Sequence, residues 1–236
     1  MRVCVAYLAF DRYHLIRLTL GRVRAVLPRG WALRVFQDGE LERASGSPVG
    51  SASGVRRSLA FARAAGLDID YRGPANRGPA EMYLAAEQWA FEEAGADILI
   101  AIEDDLLIGR PFFAVMRQLA RFALRNPDIG AFSAYGDGSL PRRDQFEQRN
   151  RFQPMHHRWA FGTTASFWRR TKPELMAYME LLAGRDYRLA PAPEISAFMD
   201  GLSHTRSVSH IQSQDGVRTA LMLHHGGFSV MTSPSY

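Results

Sequence analysis

Three consecutive acids, Glu103, Asp104 and Asp105, stand where the unbroken apolar run Ile98-Leu99-Ile100-Ala101-Ile102 stops. Carboxylates packed this closely repel one another unless a cation or protons relieve them. Hard oxygen donors favour Mg2+ or Mn2+, so the residue types alone point to a site for a divalent metal. The alternative is a solvated turn, or the start of a helix whose dipole favours negative charge. Against a plain turn stand the apolar anchors on both sides: the run before the acids, and Leu106-Leu107-Ile108 after them.

The elements around these acids must hold them in place. The apolar run reads as a central strand buried on both faces, and in open α/β sheets ligands bind beyond the carboxyl ends of such strands. Val3 to Ala9 suits another buried strand, Arg12 to Val26 has helical spacing, and Ala32 to Phe36 suits a strand ending at Gln37-Asp38-Gly39: a βαβ opening. The Gly- and Ser-rich segment 44–53 reads as a loop, Val55 to Ala65 as a helix, Asp68 to Tyr71 as a short strand, and Glu81 to Ala94 as a helix feeding the acids. Beyond them the patterning predicts a helix over Pro111 to Leu124, a strand over Ile129 to Tyr135, a polar Arg-rich loop over Ser139 to Pro154, an aromatic stretch from Trp159 to Trp168, and helices over Pro173 to Leu182 and Gly216 to His225.

Composition sets limits on the function. The 236 residues are 47% apolar and 11% aromatic, enough for a conventional α/β core. No stretch approaches the roughly 20 apolar residues of a membrane span. The N-terminus enters a strand pattern without a signal-peptide motif, so a soluble, cytoplasmic protein is expected. The single Cys4 excludes an internal disulfide framework or a cysteine zinc cluster. Net charge is +5 and every basic residue but Lys172 is Arg, which suits an anionic partner: a nucleotide diphosphate, an acidic acceptor or a membrane surface. No nucleic-acid-binding module is visible. The last residues, Ser233-Pro234-Ser235-Tyr236, follow no helix pattern, and a tail with further ligand contacts is expected beyond them.

The order Ala9-Phe10-Asp11-Arg12, then Gln37-Asp38-Gly39, then Glu103-Asp104-Asp105-Leu106 with Phe112-Phe113, then a late aromatic segment resembles the nucleotide-sugar glycosyltransferases of GT-A fold, N-acetylglucosaminyltransferase I most of all. The resemblance implies one α/β catalytic domain over 1–236, with a mixed, mostly parallel sheet flanked by helices. Residues 1–138 would bind the nucleotide sugar and 139–236 would form the acceptor side.

It further implies that Asp105 coordinates Mn2+ or Mg2+ on the diphosphate, that Glu103 and Asp104 hold the ribose or donor sugar, that Arg12 faces the nucleotide, and that Asp38 accepts a hydrogen bond from the base, uracil in a UDP-sugar. The family's catalytic base lies late in the chain, which singles out Asp215 in Gln214-Asp215-Gly216, with Asp200 and Glu194 behind it. On this reading the base takes a proton from the hydroxyl of a saccharide or other small acceptor, with inversion. Asp137 could touch donor or acceptor, and His204, His210 or the pair His224-His225 could add a metal ligand or a phosphate contact. Trp159, Phe161, Phe167 and Trp168 could stack on a sugar ring, and the Arg142 to Arg151 loop could close over the site.

Three alternatives stay open at this point. A nucleotidyltransferase would show a Gly-rich phosphate loop after the first strand, and none is present. A nucleotide-sugar hydrolase would use the same donor site with water as acceptor. A non-enzymatic basic module would grip an anionic polymer in a salt-sensitive manner.

Overall fold

The computed structural model describes residues 1–136, 141–185, 192–202 and 213–236. Asp137, His204 and His210 lie outside the described residues. Eight strands form a sheet in the order β3-β2-β1-β4-β7-β5-β8-β6. The parallel part joins β1 (Val3–Ala9), β2 (Ala32–Gln37), β3 (Asp68–Tyr71) and β4 (Ile98–Glu103). Antiparallel β7 (Phe161–Thr164) then separates β4 from β5 (Ile129–Ser133), which pairs in parallel with β8 (Phe228–Thr232); β6 (Phe152–Pro154) closes the edge.

Alternate residues of the central strands feed two cores, which explains their continuous apolar sequence. Val3, Val5, Tyr7, Ile98, Ile100 and Ile102 pack on one face, against α1 (Tyr13–Val26) and α4 (Phe112–Arg125). Cys4, Ala6, Leu8, Leu99 and Ala101 pack on the other, against α3 (Gly78–Gln88) and the π-helical turn Trp89–Glu93 that continues it. Burial pushes the Cys4 thiol up to about 11, so it is a packing residue and not a nucleophile.

Among the described residues, the other helices are α2 (Ala52–Ala64), α5 (Arg142–Glu147), α6 (Ala165–Leu182), α7 (Ala192–Gly201) and α8 (Gln214–His224). A third apolar cluster, with Leu175, Tyr178, Ile195, Met199 and Val217, knits α6, α7 and α8 together.

Several expectations are corrected. The Arg-rich stretch is not a loop throughout: residues 142–147 form α5, steadied by an exposed Arg143–Glu147 pair at 2.9 Å, one turn apart. Helix α6 does not begin near Pro173. It begins at Ala165, where Thr164 caps it by accepting from the Phe167 N–H at 3.2 Å, and it runs through an exposed Pro173. Phe161, Phe167 and Trp168 are core residues at 3–5% exposure and offer no face to a sugar, whereas Trp159 is 48% exposed. Among the described residues no helix is long and apolar enough to cross a membrane.

Candidate active site

Parallel register places the candidate residues. Leu8 of β1 lies level with Glu103 of β4, and Ala9 with Gln37 of β2. The segments beyond these strand ends, Phe10 to Arg12, Asp38 to Gly39 and Asp104 to Asp105, therefore emerge side by side. The chain passes from β1 to β2 on one side and reaches β4 on the other, so this is a topological switch point, where α/β sheets bind ligands. A cleft of about 240 Å3 opens there, lined by Arg12, Asp38, Asn76, Met82, Glu103 and Asp104.

Each acid has its own surroundings. Asp104 is buried, accepts from the Phe10 N–H at 2.8 Å and pairs with the Arg12 guanidinium, while its carbonyl accepts from Thr19 at 2.9 Å. Asp105 is exposed and lies 3.0 Å from the other arm of Arg12. Arg12 thus bridges two of the three carboxylates and supplies part of the countercharge that the sequence pattern demands. Among the described residues, the hydrogen bond that Glu103 accepts comes from the Tyr83 hydroxyl, at 3.2 Å. Burial, with the charges of Asp105 and Asp215 behind it, pushes its carboxyl up to about 7.

A raised folded-state value means that the native protein binds the proton more tightly than the unfolded chain, so this group's contribution to stability falls as pH rises from about 4.5 to about 7. We expect the metal-free protein to lose on the order of 1–3 kcal/mol of stability over that window, and Glu103→Gln to flatten the profile. Denaturant titrations at a series of pH values check this; an unchanged slope in the variant would remove Glu103 as its source.

Asp38 is nearly fully buried, and its two oxygens accept four hydrogen bonds: from Gly39 N at 2.9 Å, Arg77 N at 2.7 Å, Gly78 N at 3.0 Å and Asn76 Nδ2 at 3.0 Å. A carboxylate has about four such positions, so Asp38 is committed to holding the 76–78 turn at the cleft wall. Gly39 is required there, because a Cβ would come within 2.3 Å of the Pro74 carbonyl carbon and oxygen. Gly39→Ala should displace this turn and weaken cleft ligands about tenfold or more, measured by equilibrium binding; wild-type affinity would show that the turn does not shape the site.

A buried polar cluster that no sequence motif marks lies beside Glu103, around its partner Tyr83. Arg218 on α8 pairs with Glu87 on α3, and its guanidinium lies 5.6 Å from the centre of the Tyr83 ring. Arg158 is 7% exposed, and burial, reinforced by the charge of Arg218, lowers its value to about 10. A hint was available in Tyr83 and Glu87, polar groups one helical turn apart on an otherwise apolar face.

Asp215 faces this cluster. Ser213 caps α8 by accepting from the Gly216 N–H at 3.3 Å, which leaves the Asp215 carboxylate free of capping. Asp215 lines a second pocket of about 230 Å3 with His156, His157, Arg158 and Thr219. Burial raises its value, and Arg158, Arg218 and His157 oppose the rise. Its negative charge adds to the rise at both Glu103 and Tyr83. Glu194 and Asp200 are exposed on α7. Trp159 stacks on His157 at 4.6 Å, beside the second pocket.

The acids fit a divalent cation in one particular way. Among the described residues, the triplet does not bring three ligand atoms to one point. An all-oxygen set with an exposed Asp105 instead suits Mn2+ or Mg2+ held by one or two carboxylates, with substrate phosphates completing the shell.

The chain has the GT-A fold, a mixed α/β sheet flanked by helices. Among solved structures it is similar to a mannosyltransferase, PcManGT from Pyrobaculum calidifontis in complex with GDP-Man and Mn2+, at 17% identity over 95% of this chain and 68% of that one, with a TM-score of 0.50. Residues 1–349 of TarS from S. aureus match at 9% identity over 95% of this chain and 70% of that one, TM-score 0.48. Glucosyl-3-phosphoglycerate synthase from Mycobacterium tuberculosis matches at 14% identity over 70% and 57%, TM-score 0.44. At such identities the likeness is one of fold. No family model and no curated protein matches the sequence.

Proposed function

We propose that this protein is a metal-dependent glycosyltransferase that moves a sugar from a nucleoside diphosphate donor, a UDP-sugar in the first instance, to a hydroxyl of a saccharide or other small acceptor. The observation that carries this reading is the level alignment of Glu103 to Asp105 with the ends of β1 and β2 over one cleft. Residues 1–138 form the donor side and 139–236 the acceptor side.

Asp105 would hold the cation, and Arg12, which pairs with Asp104 and Asp105, would yield one of its two carboxylates to it. A bound Mn2+ or Mg2+ supplies Lewis-acid stabilisation of the charge on the departing nucleoside diphosphate. Glu103 and Asp104 edge the ribose and donor sugar. Asp38, with its oxygens occupied, shapes the nucleotide pocket through the turn it fixes.

On the acceptor side, the hydroxyl oxygen attacks the anomeric carbon as the bond to the diphosphate breaks, and Asp215 takes the hydroxyl proton. Attack opposite the leaving group inverts the anomeric centre, in keeping with the motif likeness to N-acetylglucosaminyltransferase I. The positive charge of Arg158 and Arg218 favours the ionised form that a base requires. The GDP-Man complex of the similar mannosyltransferase makes GDP-sugars the competing donor class.

The test is a screen of UDP- and GDP-sugars with Mn2+ and a panel of saccharides, scored by release of the nucleotide. Release that depends on an acceptor supports transfer. Release that ignores every acceptor replaces this reading with a nucleotide-sugar hydrolase, and no release contradicts the enzymatic reading.

A further inference from the structure

At the opposite end of α8 from Asp215, three side chains converge: Glu174 of α6, and His224 and His225 at the C-terminus of α8. One potential ligand atom from each lies within 4.8 Å of the others. Glu174 Oε1 is 3.3 Å from His225 Nε2, about the edge of a tetrahedral zinc site with bonds of roughly 2.0–2.2 Å. Beyond that ion-pair contact, Glu174 Oε2 and His225 Nε2 are both shielded from solvent and make no hydrogen bond among the described residues, an arrangement that usually requires explanation.

We propose that Glu174, His224 and His225 form a second metal site, for Zn2+, with water in the fourth position. The donor set discriminates between metals: two imidazoles and one carboxylate suit zinc, whereas the all-oxygen acids at β4 suit Mg2+ or Mn2+. His224 is oriented as metal-bound histidines are, with Nδ1 lying 3.2 Å from the Leu202 carbonyl, so that ring nitrogen donates and Nε2 is left as the ligand. The negative end of the α8 dipole favours a cation at this position. Gly226, at φ 68°, ends the helix, and the Gly227 N–H bonds back to Met222 O at 2.8 Å, which fixes the backbone that carries both histidines.

The ion would tie α6 to α8 and, through Leu202, brace the end of α7, the three helices that share the third apolar cluster. Since α8 has 11 residues, the site is about 15 Å from Asp215, and it acts by holding that helix in position rather than by touching substrate. This inference does not depend on the glycosyltransferase reading.

The experiment is titration of the tag-free, chelator-treated full chain with Zn2+, by calorimetry and thermal melting, and with Co2+ as an absorption probe. One equivalent of Zn2+ should bind with micromolar or tighter affinity and raise the melting temperature. Co2+ should give the visible bands of a tetrahedral site, and a large excess of Mg2+ should not displace either ion. His224→Ala and Glu174→Gln should each weaken Zn2+ at least tenfold with the circular dichroism spectrum unchanged, and His225→Gln should do the same if either of those fails to fold. Asp105→Ala should bind Zn2+ as the wild type does. Zn2+ affinity that survives loss of both histidines, or no binding below about 0.1 mM, would overturn the site.

Discussion

Replacing Asp105 by Ala is expected to abolish metal-dependent binding of UDP while leaving the protein folded. The side chain is exposed and its pairing with Arg12 is a surface ion pair, worth about 0–1 kcal/mol, so stability should hardly change. The loss of affinity should be at least 100-fold, about 3 kcal/mol, if Asp105 is the cation's main protein ligand as proposed. Asp104→Ala makes the contrast. Its carboxylate is buried against the Phe10 N–H and Arg12, so its removal leaves buried polar groups unpaired and should cost about 1–3 kcal/mol of stability. Calorimetry with and without Mn2+, alongside denaturant melts, separates the two. Unchanged UDP affinity with full metal dependence in Asp105→Ala would remove Asp105 as the ligand.

The second large effect is expected at Asp215. Asp215→Asn should bind donor and metal as the wild type does and transfer sugar about 10²–10⁴-fold more slowly, since the amide cannot take the acceptor proton. The substitution keeps the size of the side chain, and the α8 cap belongs to Ser213, so the helix start should survive. Single-turnover transfer from a UDP-sugar reads the outcome. A rate near the wild type's would place the base elsewhere, and weakened donor binding would recast Asp215 as part of the donor pocket.

Much of the N-terminal half was legible in the sequence because its elements are parallel strands whose identity is written locally. Val3–Ala9 and Asp68–Tyr71 appear as patterned, and the acids fall at the end of β4 as the apolar run implied. The C-terminal part was legible only in two of its helices: the pattern over Gly216 to His225 corresponds to α8, and Pro173 to Leu182 is the second half of α6. β7 is the four residues Phe-Gly-Thr-Thr, and it is a strand because it is inserted between β4 and β5, a tertiary fact with no local period. β6, β8 and α7 went unseen for a similar reason: they are short, and two of them lie at the far edge of the sheet.

The site shows the same division. Glu103, Asp104 and Asp105 are adjacent in sequence, but Arg218 meets Glu87 across 131 positions, and nothing local announces Arg158 as a buried charge. Asp38 was read as an acceptor for the base from the turn-like Gln37-Asp38-Gly39. The structure shows why Asp precedes Gly here: four donors converge on the carboxylate, and the Pro74 backbone approaches where a Cβ would be.

The most direct test of the central claim is a calorimetric titration of the protein with UDP and with GDP, each in Mn2+ and in chelator. UDP should bind in Mn2+, chelator should abolish the binding, and GDP should bind at least tenfold more weakly. Tighter binding of GDP would change the donor class and keep the site. Failure of both nucleotides to bind in Mn2+ would contradict the assignment of the β4 acids to a nucleotide-sugar site.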